Sequence, residues 1–460
     1  MNLKKASLNI YLVLLFLYLI FGRSFSGVSI FGFRVGELLI AMNLLFSFLF
    51  FPYGYLKKYE KFFIFDNKIF FISKLFLLSF LISIFSTGGS FINTYTYRSS
   101  SIIWSLNFLF FGYFVFSNIN ENSWFFKVLP FVPLLLYILS TIHFPDIFIS
   151  FFNTYSDRFD FVKGSDLLLA YVATMLYARN KFKKTYGGFA YFLFLSALYV
   201  PLFLYKSKGA FFPAVLFIIF NVFFYGKFIS QNKIKALSIL IISVPILLAS
   251  TFNSYGNLTF KKAGMDGVSQ PESLAQAVPD AFEVIFNEKN TPEIFASFFV
   301  VDGRLYSQEQ MANWRLQIWQ DIARDLFWNS NYFQSPVNYY LIREQLDRRN
   351  DIFLTGFGYN EILPAMNHWE RQGNDGSNEN PHNFFVYALG RGGLFLALLV
   401  IIFHTLTVTY WYKKYKNFQI LYFTLPVLFA AFFDAAMESV RYPLIYYSFF
   451  GYFAKNGIYK

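Results

Sequence analysis

Asn380-Pro381-His382-Asn383-Phe384 closes a long polar stretch, and a strongly apolar run begins directly behind it. Pro381 suits the first position of a helix, where its missing N–H costs nothing, and Asn380 suits the N-cap before it. That placement predicts His382 and Asn383 in the first helical turn. The positive end of the helix dipole disfavours protonation of an imidazole there and welcomes an anion. A neutral histidine beside an anion site can take a proton from a hydroxyl. Lys206, Lys208, Arg315 and Arg441 are the cations expected on the same side of the protein, with Glu438 as a second base or an orienting partner. Fixed cations stabilise negative charge on a leaving group. A metal is not expected. The chain has no cysteine, and no His, Asp or Glu follows His382 at the three- or four-residue spacing of a helical metal site.

The elements that must position these residues are helices in a membrane. Of 460 residues, 56% are hydrophobic and 14% charged, and mean hydropathy is +0.42. Apolar runs near the length of a bilayer crossing recur throughout. They fall at about Ala6–Phe21, Val35–Phe51, Ile69–Ser86, Ser101–Phe116, Phe125–Ile142 and Asp166–Ala178. They continue at about Gly188–Leu204, Ala210–Tyr225, Ala236–Thr251, Gly392–Tyr410, Phe418–Phe433 and Pro443–Ala454. The expected fold is all-α and integral to a membrane, with about twelve transmembrane helices and one large helical periplasmic loop. Its parts are an N-terminal bundle of about nine helices over 1–252, the large loop over 253–383, and about three C-terminal helices over 384–460. A cleaved signal peptide is the rival for the first run, since Ser24-Phe25-Ser26 resembles a cleavage site. The further membrane bundle behind it favours a retained helix.

Charge orients the bundle. The stretch Asn253–Asn383 carries 10 Lys and Arg against 17 Asp and Glu, a net −7, while the whole chain is +12. The surplus of cations sits in short loops, which argues against nucleic acid as a partner. With the N-terminus in the cytoplasm, one side collects Lys57 to Lys68, Lys127, the Arg179 to Lys184 cluster, Lys227 to Lys235, Lys413 to Lys416, Lys455 and Lys460. The positive-inside rule assigns that side to the cytoplasm. Both termini then lie there, and Lys206, Lys208, His382, Glu438 and Arg441 lie opposite. Within the loop, Ser307-Gln308-Glu309-Gln310 reads as a capping box opening a helix to about Phe327. Its apolar stripe is Met311, Trp314, Ile318, Trp319, Ile322 and Leu326. Arg315 falls inside that stripe and Arg324 on the opposite face. Thr355-Gly356-Phe357-Gly358-Tyr359 reads as a tight glycine turn.

Four pieces in this order resemble the O-antigen ligase and polymerase superfamily of bacterial membrane glycan transferases. They are Ser207-Lys208-Gly209-Ala210 opening a helix, Trp314-Arg315-Leu316-Gln317-Ile318-Trp319, Thr355-Gly356-Phe357-Gly358, and Pro381-His382-Asn383-Phe384 followed by Gly392-Gly393. The resemblance covers roughly residues 205–395 and extends to the layout of one large loop before the last helices. It implies transfer of a glycan from undecaprenyl diphosphate to an acceptor hydroxyl at the periplasmic face of the inner membrane, with inversion at the anomeric carbon. It implies no cofactor, no nucleotide sugar and no metal. It makes His382 and Arg315 the catalytic pair, supported by Asn383. Lys206, Lys208, Arg315 and Arg441 become the diphosphate ligands. Lys208 stands where the family usually has arginine, keeping the charge without the bidentate fork. Arg391 stands where relatives commonly carry an acid.

The reading that follows is a surface-polysaccharide polymerase joining two lipid-linked repeat units, with membrane lipid and a chain-length regulator as further partners. The alternatives are an O-antigen ligase acting on lipid A–core, a protein O-oligosaccharyltransferase, a lipid-linked oligosaccharide flippase and a scaffold. A transporter would carry its ionisable residues at the midplane, whereas these gather at one end.

Overall fold

The computed structural model describes residues 3–53, 67–91, 93–157, 159, 162–182, 185–256, 298–308, 310–327, 352–367, 371, 379–416, 418–434 and 436–456. Lys57, Lys58, Lys61, Arg158, Lys183, Lys184, Glu309, His368 and Lys460 fall outside them, as does the side chain of Lys208.

The N-terminal part runs α1 (Leu3–Ser26), a hairpin of β1 (Ser29–Ile30) and β2 (Phe33–Arg34), α2 (Val35–Tyr53) and α3 (Asn67–Thr87). Short helices α4 (Thr94–Ser99) and α5 (Ser101–Trp104) lead into α6 (Asn107–Asn118). Next come α7 (Trp124–Val128), α8 (Val132–Thr141), α9 (Asp146–Tyr155), α10 (Gly164–Phe182), α11 (Tyr186–Lys206), α12 (Lys208–Gln231) and α13 (Lys233–Gly256). The polar segment contributes an antiparallel hairpin of β3 (Phe298–Val301) and β4 (Arg304–Ser307), then α14 (Gln310–Phe327) and α15 (Ile352–Thr355). The chain closes with α16 (Phe384–Tyr415), α17 (Gln419–Ala431) and α18 (Arg441–Asn456).

Helices therefore stand at all twelve expected positions. Among the described residues, seven helices are long and apolar enough to cross a membrane, from Ala6–Ser26 to Phe384–Lys414, and three shorter apolar helices accompany them. The chain is a helical membrane protein. The two hairpins are its departures from an all-α fold. In the second, Asp302 and Gly303 both take positive φ, which lets a two-residue turn follow the twist of its strands.

α10 is the centre of the bundle, buried at every position from Gly164 to Arg179. A helix that is covered all round needs partners on every face, and α1, α8, α11, α12, α17 and α18 supply them. α6 and α18 meet at close range because Gly112 and Gly451 remove the side chains between them. A Cβ on Gly112 would lie 2.5 Å from Cα of Ser448. Pro130 lacks the N–H that would pair with the carbonyl of Phe126, and the Tyr177 hydroxyl of α10 fills that place at 3.0 Å. Some of the tyrosine abundance thus satisfies backbone inside the bundle.

Local expectations need three corrections. α14 begins at Gln310 and Ser307 ends β4, its N–H going to Oδ1 of Asn313 at 3.2 Å rather than to the Gln310 side chain that the capping box requires. Arg324 is buried, because Asp321 gathers Arg304, Arg324 and Arg371 around one carboxylate. A helical wheel carries no information about a partner that arrives from another segment. α16 begins eight positions before the expected span, at Phe384, and bends at Gly392 and Gly393.

Candidate functional site

α16 starts two residues beyond His382. Asn383 is its N-cap, in extended backbone, and its Oδ1 accepts from the N–H groups of Phe385 at 2.9 Å and Val386 at 3.1 Å. Asn380 is not the cap, and His382 is not in the first turn. Instead His382 takes φ +53, the left-handed region that a non-glycine residue enters at a cost of about 1–2 kcal/mol. The neighbours hold it there. The Trp319 indole donates to the carbonyl of Pro381 at 2.6 Å, and the Asn383 cap fixes the chain on the other side. A strained residue held from both sides is the arrangement expected where orientation matters.

The imidazole is half-buried. Nδ1 lies 3.7 Å from Oδ1 of Asp434, in the loop between α17 and α18. Trp314 stands edge-on to the ring at 5.3 Å. Burial pushes the His382 pKa below its ordinary value. The Asp434 carboxylate opposes that shift, and the charges of Arg315 and Lys163 reinforce it. Burial acts to raise the Asp434 carboxyl, but the nearby His382 ring and the charge of Lys163 outweigh it and hold it below the usual carboxylate range; Ser165 adds to this. The pair is a neutral imidazole backed by an ionised carboxylate. Such a carboxylate orients the ring and stabilises the imidazolium formed when the other nitrogen takes a proton.

The α11–α12 corner packs beside this pair. A Cβ on Gly209 would sit 3.1 Å from Cβ of Phe433, the neighbour of Asp434, and a Cβ on Gly164, next to Lys163, would run into Ser207. The small residues let the corner close on both segments. Lys206 ends α11 at that corner and is half-buried.

The glycine turn serves α16. The bend at Gly392 and Gly393 interrupts the helical ladder, and the freed carbonyls of Gly390 and Arg391 accept from the N–H groups of Phe357 at 2.8 Å and Gly358 at 3.1 Å. Ser83 adds a hydroxyl to the Arg391 carbonyl at 3.2 Å. The Arg391 guanidinium returns the contact, donating to the carbonyls of Gly358 and Glu361 at 3.1 and 2.5 Å and to the Tyr95 hydroxyl at 2.9 Å. A cation at this position thus ties the turn to α4 through acceptors alone, which an acid could not do.

Arg441 is brought elsewhere. It opens α18, and its Nε donates to Asp166 at 3.0 Å. It lines an open cleft among α1, α2, α4, α16 and α18, together with Arg23, Arg34, Arg98 and Glu438. Glu438 is 5% exposed. Burial drives its carboxyl up to about 8, and Asp434 adds to the rise. Neither His382 nor Arg315 lines this cleft.

The structure therefore brings Arg315 and Asn383 to His382 and places Arg441 and Glu438 in the lining of the neighbouring cleft. Asp434, Asp166 and Lys163 were missed as site residues. The four-residue spacing of Asp434 and Glu438 is a visible signal, but nothing local links either to His382. Among the described residues no three His, Asp or Glu side chains are grouped to hold a metal. Comparison with protein-family models, curated proteins and solved structures finds no match.

Proposed function

We propose that this chain is a metal-independent membrane glycan transferase, a polymerase that moves an undecaprenyl diphosphate-linked glycan onto a sugar hydroxyl of a second lipid-linked repeat unit. The observation that carries the reading is the His382–Asp434 pair with Arg315 and Lys163 acting on it. The acceptor hydroxyl attacks the anomeric carbon while its proton passes to the second imidazole nitrogen. The anomeric carbon–oxygen bond breaks with inversion, and both electrons leave with the lipid diphosphate. Arg315, Lys163 and the Lys206/Lys208 corner stabilise that leaving charge. Asp434 steadies the imidazolium. Twelve membrane crossings, cytoplasmic termini and a periplasmic site in the bacterial inner membrane complete the proposal.

The test is chain-length analysis of surface polysaccharide in a deletion strain carrying His382→Ala, with membrane expression confirmed. A single repeat unit on lipid A–core supports the polymerase. Long chains accumulating on undecaprenyl diphosphate would make it a ligase instead. A wild-type ladder would overturn the role of His382.

A further inference from the structure

The cleft beside Arg441 is separate from the His382 pair, and its chemistry calls for a ligand. Arg23, Arg34, Arg98, Arg391 and Arg441 line it, against Glu37, Glu379 and Glu438. Two of its ion pairs are loose and partly exposed: Arg34 to Glu37 at 3.4 Å and Arg98 to Glu379 at 3.5 Å. Exposed pairs of this kind are worth little, so an incoming anion displaces them at small cost. Glu438 is the informative residue. It is more than nine-tenths buried, it lines the cleft, and neither carboxyl oxygen has a side-chain partner among the described residues. The backbone N–H groups of Glu438 and Ala436 act on it, but a buried carboxyl with no side-chain partner is under-satisfied, which is costly. A ligand oxygen would remove that cost, with the neutral carboxyl as donor. Planar guanidinium groups match phosphate oxygens two at a time.

We propose that this cleft is a second anion site, which holds the phosphate-bearing headgroup of the acceptor lipid through Arg23, Arg98 and Arg441 with Glu438 donating a hydrogen bond. Naming the occupant as the acceptor rests on the transferase reading; the phosphate chemistry does not. Two anionic lipids are then held near the 434–441 loop, one against Arg315 and Lys163, the other against Arg441. Asp434 and Glu438 face one site each.

The experiment measures binding of undecaprenyl phosphate to the full chain in nanodiscs of uncharged lipid, with native mass spectrometry for stoichiometry. The wild type is expected to bind two equivalents. Arg23→Gln combined with Arg98→Gln is expected to bind one, with at least a tenfold loss at the second site. Glu438→Leu weakens the same site about tenfold, while Glu438→Gln, which keeps a donor, restores it. Competition by inorganic pyrophosphate would assign the affinity to phosphate alone. Competition only by prenyl phosphates would assign it to a lipid headgroup at the mouth of the cleft. Wild-type stoichiometry in well-folded Arg23/Arg98 and Glu438→Leu variants would overturn the proposal. It would leave the transferase reading standing if His382→Ala still abolishes turnover. The converse, cleft binding intact and turnover unaffected by His382→Ala, would sink the transferase reading and keep the anion site.

Discussion

Nδ1 of His382, just outside α16, lies 3.7 Å from Oδ1 of Asp434, in the loop that separates α17 from α18. This relationship joins the polar segment to the last helices and sets a strained histidine beside a carboxylate.

Asp434→Asn should lower turnover by roughly 10²–10⁴-fold with the protein still folded, the range seen when such a carboxylate is neutralised. The acidic limb of the pH–rate profile reports His382. Since burial puts its pKa below the ordinary value, despite Asp434 acting to raise it, activity should persist below pH 6.5 and fail only at lower pH. Removing the Asp434 charge should move that limb further down. A limb that stays in place in Asp434→Asn would show that another group titrates.

Glu438 links stability to pH. Its carboxyl sits at about 8 in the folded protein against 4.5 as its ordinary value. The folded state therefore binds the proton more tightly, and that stabilisation is complete below about 4.5 and lost as pH rises through 8. The slope approaches about 1.4 kcal/mol per pH unit at most. Thermal unfolding of the wild type should show a Tm that falls between pH 5 and 8. Glu438→Gln should flatten that fall, and equal slopes in the two proteins would contradict the assignment.

Gly393 and Gly356 should not tolerate alanine. Gly393 has φ +65, and a Cβ on Gly356, at φ +72, would meet the Arg391 carbonyl oxygen at 2.6 Å. Left-handed backbone alone costs an alanine about 1–2 kcal/mol, and the clash with backbone adds to it. Either variant should show a lower Tm in detergent and reduced yield in membranes. Alanine at Gly187, which has open space around it, serves as the control and should behave as wild type.

The chain contains no cysteine, so single introduced thiols report topology without background. Asp302→Cys, in the turn of the β3–β4 hairpin, should react with a membrane-impermeant maleimide from the periplasmic side. Lys413→Cys, in the last turn of α16, should react only after the membrane is opened. The reverse pattern would invert the proposed orientation.

The helical membrane character was legible because a long apolar run has one good solution in a bilayer: it pairs its own backbone as a helix. The Gly356–Gly358 turn was legible because glycine marks left-handed backbone. The start of α16 was not. Two asparagines flank Pro381-His382, both are good caps, and the choice of Asn383 depends on Trp319 holding the carbonyl of Pro381. Arg324 was misplaced for a similar reason, since its partner Asp321 is buried by Arg304 and Arg371 arriving from outside α14.

By itself the sequence determined a helical membrane protein with a polar segment before its last helices and His382 at the boundary. Hydropathy, charge and turn chemistry are carried by neighbouring residues, so they can be read along one dimension. Only the tertiary structure decided that His382 meets Asp434, that Arg441 meets Asp166, and that Glu438 faces a cleft of arginines drawn from α1, β2 and α4. Arg441 meets Asp166 because α10, buried on every face, packs against α18. Which charges become partners follows from that packing and leaves no trace in the local pattern of any segment.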